Sequence, residues 1–458
     1  MGSDAAARIA STVTGRVILT AAEMHAAEAA TVAAGTPVET LMERAGIAAA
    51  EAIWRFAGPL PALILCGPGN NGGDGYVIAR ALRARGMAVR VAATGEPGTG
   101  AARAARQAWD GPVGSIGDAE PAALLIDCLF GTGLTRPLDE ALTRRLLALA
   151  EAARIRVAID LPSGAATDDG RLLSPVPDCD LTITFQTLKP SHLLQPAGRH
   201  MGRIVVAEIG VAAASSLSEI GRPEAMEPGP DDHKYKRGYV AVLAGAMPGA
   251  SALAAAAAAK AGAGYVRLMG PSVGGVANAI VQGVGDPEAL LADGRIGAVL
   301  IGPGLGRDEA ARGLLGLALA SGRPLVLDAD ALRLLDGRNA TGAILTPHEG
   351  EFAGLFPGFP GSKVDRARAA AARSGAVIVY KGADTVVAAP DGRAAIAPPA
   401  PAWLASAGTG DVLAGIAAAR RAALGDPFQA ACDAVWLHGC AAERAGPGLI
   451  ADDLVASL

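Results

Sequence analysis

Short apolar runs that end near glycine or aspartate alternate with helix-patterned stretches along most of the chain, and nothing else restricts the fold as strongly. In the first half PALILC, MAVRVAAT, AALLID, IRVAID, LTITF and RIVVAEIG read as strands. TAAEMHAAEAATVAAG, PVETLMERAGIAAAEAIW, GDGYVIARALRARG and LDEALTRRLLALAEAA carry apolar residues at helical spacing. Buried strands that alternate with helices build βαβ units, so a parallel sheet with helices on both faces is expected. After Val211 the pattern lapses into a small, polar, Pro-containing stretch that reads as a linker. The strand YVAVLAG then restarts it, followed by ASALAAAAAAKAG, YVRLMG, AVLIG, PLVLDAD, GAILT, AVIVYKG and TVVAAP. Asp391-Gly392 marks a hairpin turn before RAAIA, and a glycine-led helix, GTGDVLAGIAAARRAAL, comes next. A chain of 458 residues has room for two such α/β domains, taken as 1–222 and 223–458.

Composition excludes several classes. A net charge of −5 with no long basic run does not favour nucleic acid as a partner. The tract Ala254 to Ala259 is too short and too weakly apolar to span a bilayer. MGSDAAARIASTVTGR lacks a charged start followed by an apolar run, so no signal peptide is expected. Five cysteines without a CxxC argue against a disulfide framework or thiolate metal site, and a cytoplasmic compartment is the expectation.

CGPGNNGGDGYVIAR, after the first strand, contains GxGxxG at Gly67, Gly69 and Gly72. A glycine loop opening a helix turns backbone N–H groups toward an anion. A Rossmann unit would also need an acidic residue about 20 positions on to hold a ribose. None occurs between Asp74 and Glu96, and Asn70, Asn71 and Asp74 exceed what a phosphate cradle or a tight turn requires. Asp127 ends one strand ahead of Gly131 and Gly133; Asp160 ends another ahead of Ser163. Ligands of open α/β sheets bind at the carboxyl ends of strands. Asn71, Asp127, Asp160 and Ser163 can therefore converge, and such oxygen donors suit a hard cation, monovalent or divalent. Taken singly, each Asp would more often be a helix N-cap or a turn residue, and it is their shared position that favours function.

GPGNNGGDGYVIAR, IDCLFGTGL, AIDLPSG and LMERAG resemble the NAD(P)H-hydrate epimerase (YjeF N-terminal) domain over about residues 17–212. The resemblance implies a Rossmann-like three-layer sandwich. It implies hydrated nicotinamide nucleotide on Asn70, Asn71, Gly72, Gly73 and Asp74, on Gly131, Thr132, Gly133, Leu134, Thr135, Arg136 and Pro137, and on Asp160, with Asp160 catalytic. It also implies potassium on Asn71, Asp127 and Ser163. Leu161 stands where the family usually has isoleucine.

Four stretches stand out in the second half: IGPGLGRDE, LTPHEGEF, YKGADT and AGTGDVLAG. Glycines 408 and 410 before a helix make an anion hole for a phosphoryl group. Asp411, in the first turn, suits either a helix cap or the base that activates a hydroxyl. GxxxxGK[ST] is absent, so this is no P-loop, and His348 has no HExxH partner for zinc. Asp328 and Asp330 close the strand PLVLDAD at the expected ligand edge.

These motifs, with HKYKRG, resemble the ADP-dependent NAD(P)H-hydrate dehydratase of the ribokinase-like superfamily over about residues 226–458. The resemblance implies hydrated substrate near Ala250, Gly304, His348 and Asp411, with Asp411 catalytic. It places adenine nucleotide along Lys381, Gly382, Ala383, Asp384 and Thr385 and at Gly410, with ADP as co-substrate and Mg2+ as counter-ion. Glu349 replaces a proline common in the family, which is expected to loosen the loop carrying His348. Both halves together imply repair of hydrated NADH and NADPH by a homo-oligomer that takes small molecules only. Two rivals are a ribokinase-like kinase of the hydroxyethylthiazole type and a non-catalytic nucleotide-binding first half.

Overall fold

The structure is a computed structural model that describes residues 9–10, 15–224 and 227–458. Part of the N-terminal stretch read for targeting, and residues 225–226 of the linker stretch, lie outside the described residues. The chain forms two compact units, Met1–Ser215 and Ser216–Leu458.

An eight-stranded sheet organises the first unit. Its spatial order is Ile9–Ala10, Arg203–Ala207, Leu181–Phe185, Ile155–Ile159, Leu124–Cys128, Ala62–Cys66, Val89–Ala93, Val113–Ser115. All pairings are parallel except that of Ile9–Ala10. The layers follow from side-chain alternation. All five residues of Ala62–Cys66 are buried. Ala62, Ile64 and Cys66 join the core formed with helices Val38–Ala57 and Asn70–Ala84. Leu63 and Leu65 join the core formed with helix Glu140–Ala152. Period two with both faces covered is the pattern of a middle sheet layer, and it bears out the three-layer expectation. The strand order reverses between Ala62–Cys66 and Leu124–Cys128, and ligand crevices open at such a switch.

The helix after Ala62–Cys66 begins at Asn70, three residues before the expected start. Gly69 caps it in extended conformation, and the Gly73 N–H bonds the Gly69 carbonyl at 3.2 Å. All of NNGGD is therefore helix rather than loop. Glycine is a weak helix former, but a Cβ on Gly72 would lie 1.9 Å from the Gly67 carbonyl oxygen. Close backbone approach requires the residue that propensity disfavours.

Ten strands form the sheet of the second unit. Their order is Ile280–Gly283, Tyr265–Met269, Tyr239–Leu243, Ala298–Ile301, Leu325–Leu327, Ile344–Leu345, Val377–Tyr380, Val386–Ala388, Ala394–Ile396, Leu217–Glu219. The first seven are mutually parallel. The hairpin at Asp391-Gly392 then makes two antiparallel pairings. The last strand corrects the sequence reading. Leu217–Glu219 lies inside the stretch taken for linker, yet pairs parallel with Ala394–Ile396. Three residues, Leu-Ser-Glu, carry too little alternation to be recognised. Here the order reverses between Tyr239–Leu243 and Ala298–Ile301.

The alanine tract lies in helix Pro248–Lys260, where Ala254, Ala255, Ala257 and Ala258 are fully buried. Small side chains let this helix cross Thr409–Ala423 closely: a Cβ on Gly415 would lie 2.1 Å from the Ala254 carbonyl oxygen. Alanine is favoured over glycine in a helix by about 1 kcal/mol, but overpacking costs about 1–3 kcal/mol and more against backbone. Gly415→Ala is therefore expected to destabilise the unit by roughly 2 kcal/mol, read from the urea midpoint; a stabilised variant would contradict the close crossing. Among the described residues no helix is long and apolar enough to cross a membrane.

Candidate functional site

Each unit presents a carboxylate on the carboxyl-end side of its parallel sheet. In the first, Asp160 follows strand Ile155–Ile159 with φ +65°, a left-handed conformation uncommon outside glycine. Strain of this kind persists where surroundings over-determine it. The Thr132 amide and hydroxyl donate to Asp160 Oδ2 at 2.7 and 2.5 Å, and the Thr184 hydroxyl to Oδ1 at 3.1 Å. Lys189 Nζ, on a residue 1% exposed, stands 3.0 Å from Oδ1. His192 Nε2 donates to the Asp160 carbonyl at 2.9 Å, while Nδ1 accepts the Lys189 N–H at 2.8 Å. Burial alone would raise the Asp160 carboxyl; the Lys189 ammonium and the Thr132 bonds outweigh it and hold the group well below the usual carboxylate range. Burial, aided by Lys189, pushes His192 down to about 4, so it is the neutral tautomer its bonds require. Gly131 leaves room for the carboxylate: a Cβ there would lie 2.5 Å from Asp160 Oδ2.

Lys189 and His192 were missed by the sequence reading. They follow strand Leu181–Phe185 within QTLKPSH, where a lysine at a strand's carboxyl end was the only available signal. Of the expected substrate loop, Thr132 reaches Asp160, Leu134 is half-buried, and Gly133, Thr135, Arg136 and Pro137 are exposed. Asn70 accepts a hydrogen bond from the Thr99 hydroxyl at 2.6 Å.

The expected potassium ligands divide into a bonded pair and a free amide. Asp127 accepts from the Ser163 hydroxyl at 2.7 Å, the Ser163 N–H at 2.9 Å and the Leu129 N–H at 3.0 Å. Burial raises its carboxyl, partly offset by the Ser163 bonds. Asn71 Nδ2 is buried without a hydrogen-bond partner. A half-turn of that amide would present its carbonyl oxygen at the same place. A buried orphan amide, a single carboxylate and a hydroxyl are donor types that suit a hard monovalent cation. Among the described residues no three His, Cys, Asp or Glu side chains gather to hold a metal.

In the second unit Asp411 lies in the first turn of Thr409–Ala423, behind Gly408 in left-handed conformation (φ +86°). It makes no capping bond: the helix has no side-chain cap, which removes the cap reading left open by the sequence. Burial, with the Asp328 carboxylate adding to it and Lys381 opposing, pushes Asp411 up to about 6. Lys381 Nζ bonds Asp328 Oδ1 at 2.9 Å, and the Thr346 hydroxyl reaches the same oxygen at 2.7 Å. A Cβ on Gly410 would lie 3.5 Å from Lys381 Nζ, so the ammonium overlooks the glycine-framed helix start. His438 donates from Nε2 to the Thr409 carbonyl at 2.9 Å and is neutral, its pKa lowered to about 4 by burial.

Gly302–Gly306 and the segment before Ala250 interlock. The Met247 N–H bonds the Gly304 carbonyl at 2.8 Å, and Gly304 has φ +63°. Asp330 accepts from the Gly306 N–H at 3.0 Å and from Arg307 Nε at 2.7 Å. Along the expected nucleotide stretch, Gly382 and Thr385 close a turn on each other. Asp384 is bound 2.6 Å from Lys363, a residue not singled out from sequence, and Ala383 is exposed.

The His348 loop is firmer than expected. His348 Nδ1 accepts from the Gly350 and Glu351 amides at 3.0 and 3.3 Å, and Glu351 returns a bond to the His348 N–H at 2.9 Å. Glu349 is fastened by Arg366 at 2.9 Å and by the Tyr380 hydroxyl. The carboxylate thus supplies tethers where the usual proline would restrict the backbone.

Known proteins share this two-unit organisation. Residues 38–191 match the profile of the YjeF-related protein N-terminus, and residues 240–450 that of NAD(P)H-hydrate dehydratase. An ADP/ATP-dependent NAD(P)H-hydrate dehydratase from Bacillus subtilis, solved with ATP and Mg2+, is 32% identical, spanning 50% of this chain and 91% of its own with a TM-score of 0.45. A bifunctional NAD(P)H-hydrate repair enzyme of Gloeobacter violaceus is 37% identical over 92% of each chain. That of Thermanaerovibrio acidaminovorans is 36% identical over 95% of each chain. With such likeness running through both halves, the chain belongs to the family of bifunctional NAD(P)H-hydrate repair enzymes.

Proposed function

We propose that the protein repairs hydrated NADH and NADPH in two steps, one in each unit. The observation that carries this reading is the recurrence of one arrangement: a buried or half-buried carboxylate beside a lysine, on the carboxyl-end side of a parallel sheet that also carries a glycine-framed helix start. The first unit interconverts the R and S epimers of the hydrate. Asp160, kept anionic by Lys189 and Thr132, moves protons at the carbinolamine. Asn71, Asp127 and Ser163 would hold potassium, which supplies positive charge near the nucleotide's phosphates.

The second unit takes the S epimer. Asp411 removes the proton of its hydroxyl, which accepts a phosphoryl group from ADP. The helix start at Gly408–Gly410 and Lys381 stabilise charge on the group in transfer, and Mg2+ accompanies the nucleotide. Phosphate is a better leaving group than hydroxide, so elimination restores the reduced ring. His348, Ala250 and Gly304 line the substrate side, and the turn from Lys381 to Thr385 serves the nucleotide.

Asp411 acts as a base only when ionised, so dehydration is expected to rise through pH about 6 and level off above it. Stability runs oppositely. The folded-state value is raised above the unfolded one, so the folded chain keeps a proton that the unfolded chain loses above about pH 4. Stability thus falls as pH climbs from about 4 through 6. A dehydration rate independent of pH between 5 and 7, about one unit either side of that value, would contradict the assigned base.

The direct test is incubation with mixed hydrate epimers, with and without ADP, following reduced nicotinamide and free phosphate. Release of both only with ADP supports repair. Accumulation of a stable phosphorylated alcohol would favour the ribokinase-like kinase instead.

A further inference from the structure

The Asp160 carboxylate has no free lone pair. An ionised carboxylate offers about four acceptor sites on its two oxygens. Oδ2 accepts the Thr132 N–H at 2.7 Å and the Thr132 hydroxyl at 2.5 Å; Oδ1 accepts the Thr184 hydroxyl at 3.1 Å and stands 3.0 Å from Lys189 Nζ. A general base must lie within hydrogen-bond reach of the proton it abstracts, and here protein donors already occupy that reach. Three of the four donors offer no route to a substrate. The Thr132 amide keeps its hydrogen. Thr184 is 0% exposed and Lys189 is 1% exposed. The three protons of Lys189 Nζ are directed to Asp160, to Thr184 Oγ1 at 2.8 Å and to the Phe185 carbonyl at 3.0 Å. The Thr132 hydroxyl differs. Its residue is half-buried and opens the loop that continues into exposed Gly133, Thr135, Arg136 and Pro137. Its one hydrogen goes to Asp160, and among the described residues nothing donates to its two lone pairs. The Thr132 carbonyl accepts the Thr167 hydroxyl at 3.0 Å, so the residue is held from both sides.

We infer that Thr132 is a second catalytic residue of the epimerising site: its hydroxyl relays the proton between the hydrate and Asp160, which does not meet the substrate itself. The inference rests on the epimerase reading above. A hydroxyl alone is a weak proton acceptor; an adjacent base that takes its own proton in the same step activates it. The hydroxyl of the hydrate gives its proton to Thr132 Oγ1 as the Thr132 proton crosses to Asp160 Oδ2. The pair left on the substrate oxygen closes a C=O bond, and the C–N bond of the carbinolamine opens with its pair going to the ring nitrogen. Rotation about the adjacent C–C bond turns the other face of the carbonyl carbon to that nitrogen. The nitrogen pair re-forms the C–N bond, the C=O pair returns to oxygen, and the proton comes back from Asp160 through Thr132. The site ends as it began, so the same path serves both epimers.

The test follows epimer exchange of pure R hydrate by the full chain, above the spontaneous rate, in water and in mixtures of water with deuterium oxide. Two protons move in one step, so the wild-type rate is expected to fall along a curve, not a straight line, as the deuterium fraction rises. Thr132→Val keeps the side-chain volume and the backbone N–H but loses the hydroxyl. Its kcat for exchange is expected to fall by about 100-fold, with KM for the R hydrate little changed. Thr132→Ser restores the hydroxyl and is expected to recover most of the rate and the curved deuterium response. Wild-type kcat in Thr132→Val, with Asp160→Asn inactive, would show that Asp160 meets the substrate directly: the relay is then wrong and the epimerase reading stands. A raised KM with kcat unchanged would make Thr132 a binding contact only and overturn the relay as well. A straight deuterium response in the wild type would overturn it even if the valine variant did not fold. If wild-type protein exchanges no epimers, the epimerase reading fails and takes this inference with it.

Discussion

Asp411→Asn is expected to slow ADP-dependent dehydration of the S hydrate by about 100- to 10,000-fold, the range of a lost general base, while leaving epimer exchange unchanged. The asparagine keeps the shape of the helix start but cannot take the substrate's proton. KM for ADP should change little, because the assigned nucleotide contacts lie between Lys381 and Thr385 and at Gly410. The substitution also has a stability signature. Asp411 is pushed up to about 6 by burial and by Asp328, so ionising it above that pH costs roughly 1–3 kcal/mol at about 1.4 kcal/mol per pKa unit. Asp411→Asn removes this cost, so the inactive variant should melt higher than wild type at pH 8, two units above that value, and not at pH 4. A slow but destabilised variant would show that Asp411 holds the helix start together rather than reacting.

Asp160→Asn is expected to lower epimer exchange by about 100- to 10,000-fold and to lower stability as well. The variant removes the anion that stands 3.0 Å from the ammonium of Lys189, a residue 1% exposed. Breaking a buried pair from one side costs about 3–5 kcal/mol. The contrast with Asp411 follows from the partner. Asp160 is ionised and matched, so its loss strands a charge; Asp411 is raised and poorly matched, so its loss relieves one. Lys189→Met tests the same pair from the other side. It should return Asp160 toward protonation through burial and slow exchange with Asp160 still present. Asp160 is depressed in the folded state, so its stability contribution holds above about pH 4 and disappears only as pH falls through the folded value.

The parts of these sites that the sequence displays are those carried at strand ends in compact motifs. Asp127, Asp160 and Ser163 close apolar runs, and the structure joins Asp127 to Ser163 directly. GTGD at a helix start likewise points to Asp411. The groups that set the chemistry of those carboxylates are harder to read. Lys189 and His192 enter from a segment whose sequence, QTLKPSH, looks like any polar loop. Lys381 and Asp328 sit on different strand ends and meet only once the sheet is assembled. Packing decides such pairings, and local pattern does not encode them. The edge strand Leu217–Glu219 escaped notice for the same reason: its register comes from Ala394–Ile396, not from its own residues.

Pure R hydrate with ADP, presented to Asp160→Asn, to Asp411→Asn and to an equal mixture of both, tests most directly whether two separate carboxylate sites act in sequence. Neither variant alone should regenerate reduced cofactor beyond spontaneous epimerisation, while the mixture should recover it, with free phosphate released in equal amount. Rapid conversion of the R hydrate by Asp160→Asn alone, or no recovery in the mixture, would contradict the division of labour between the two units.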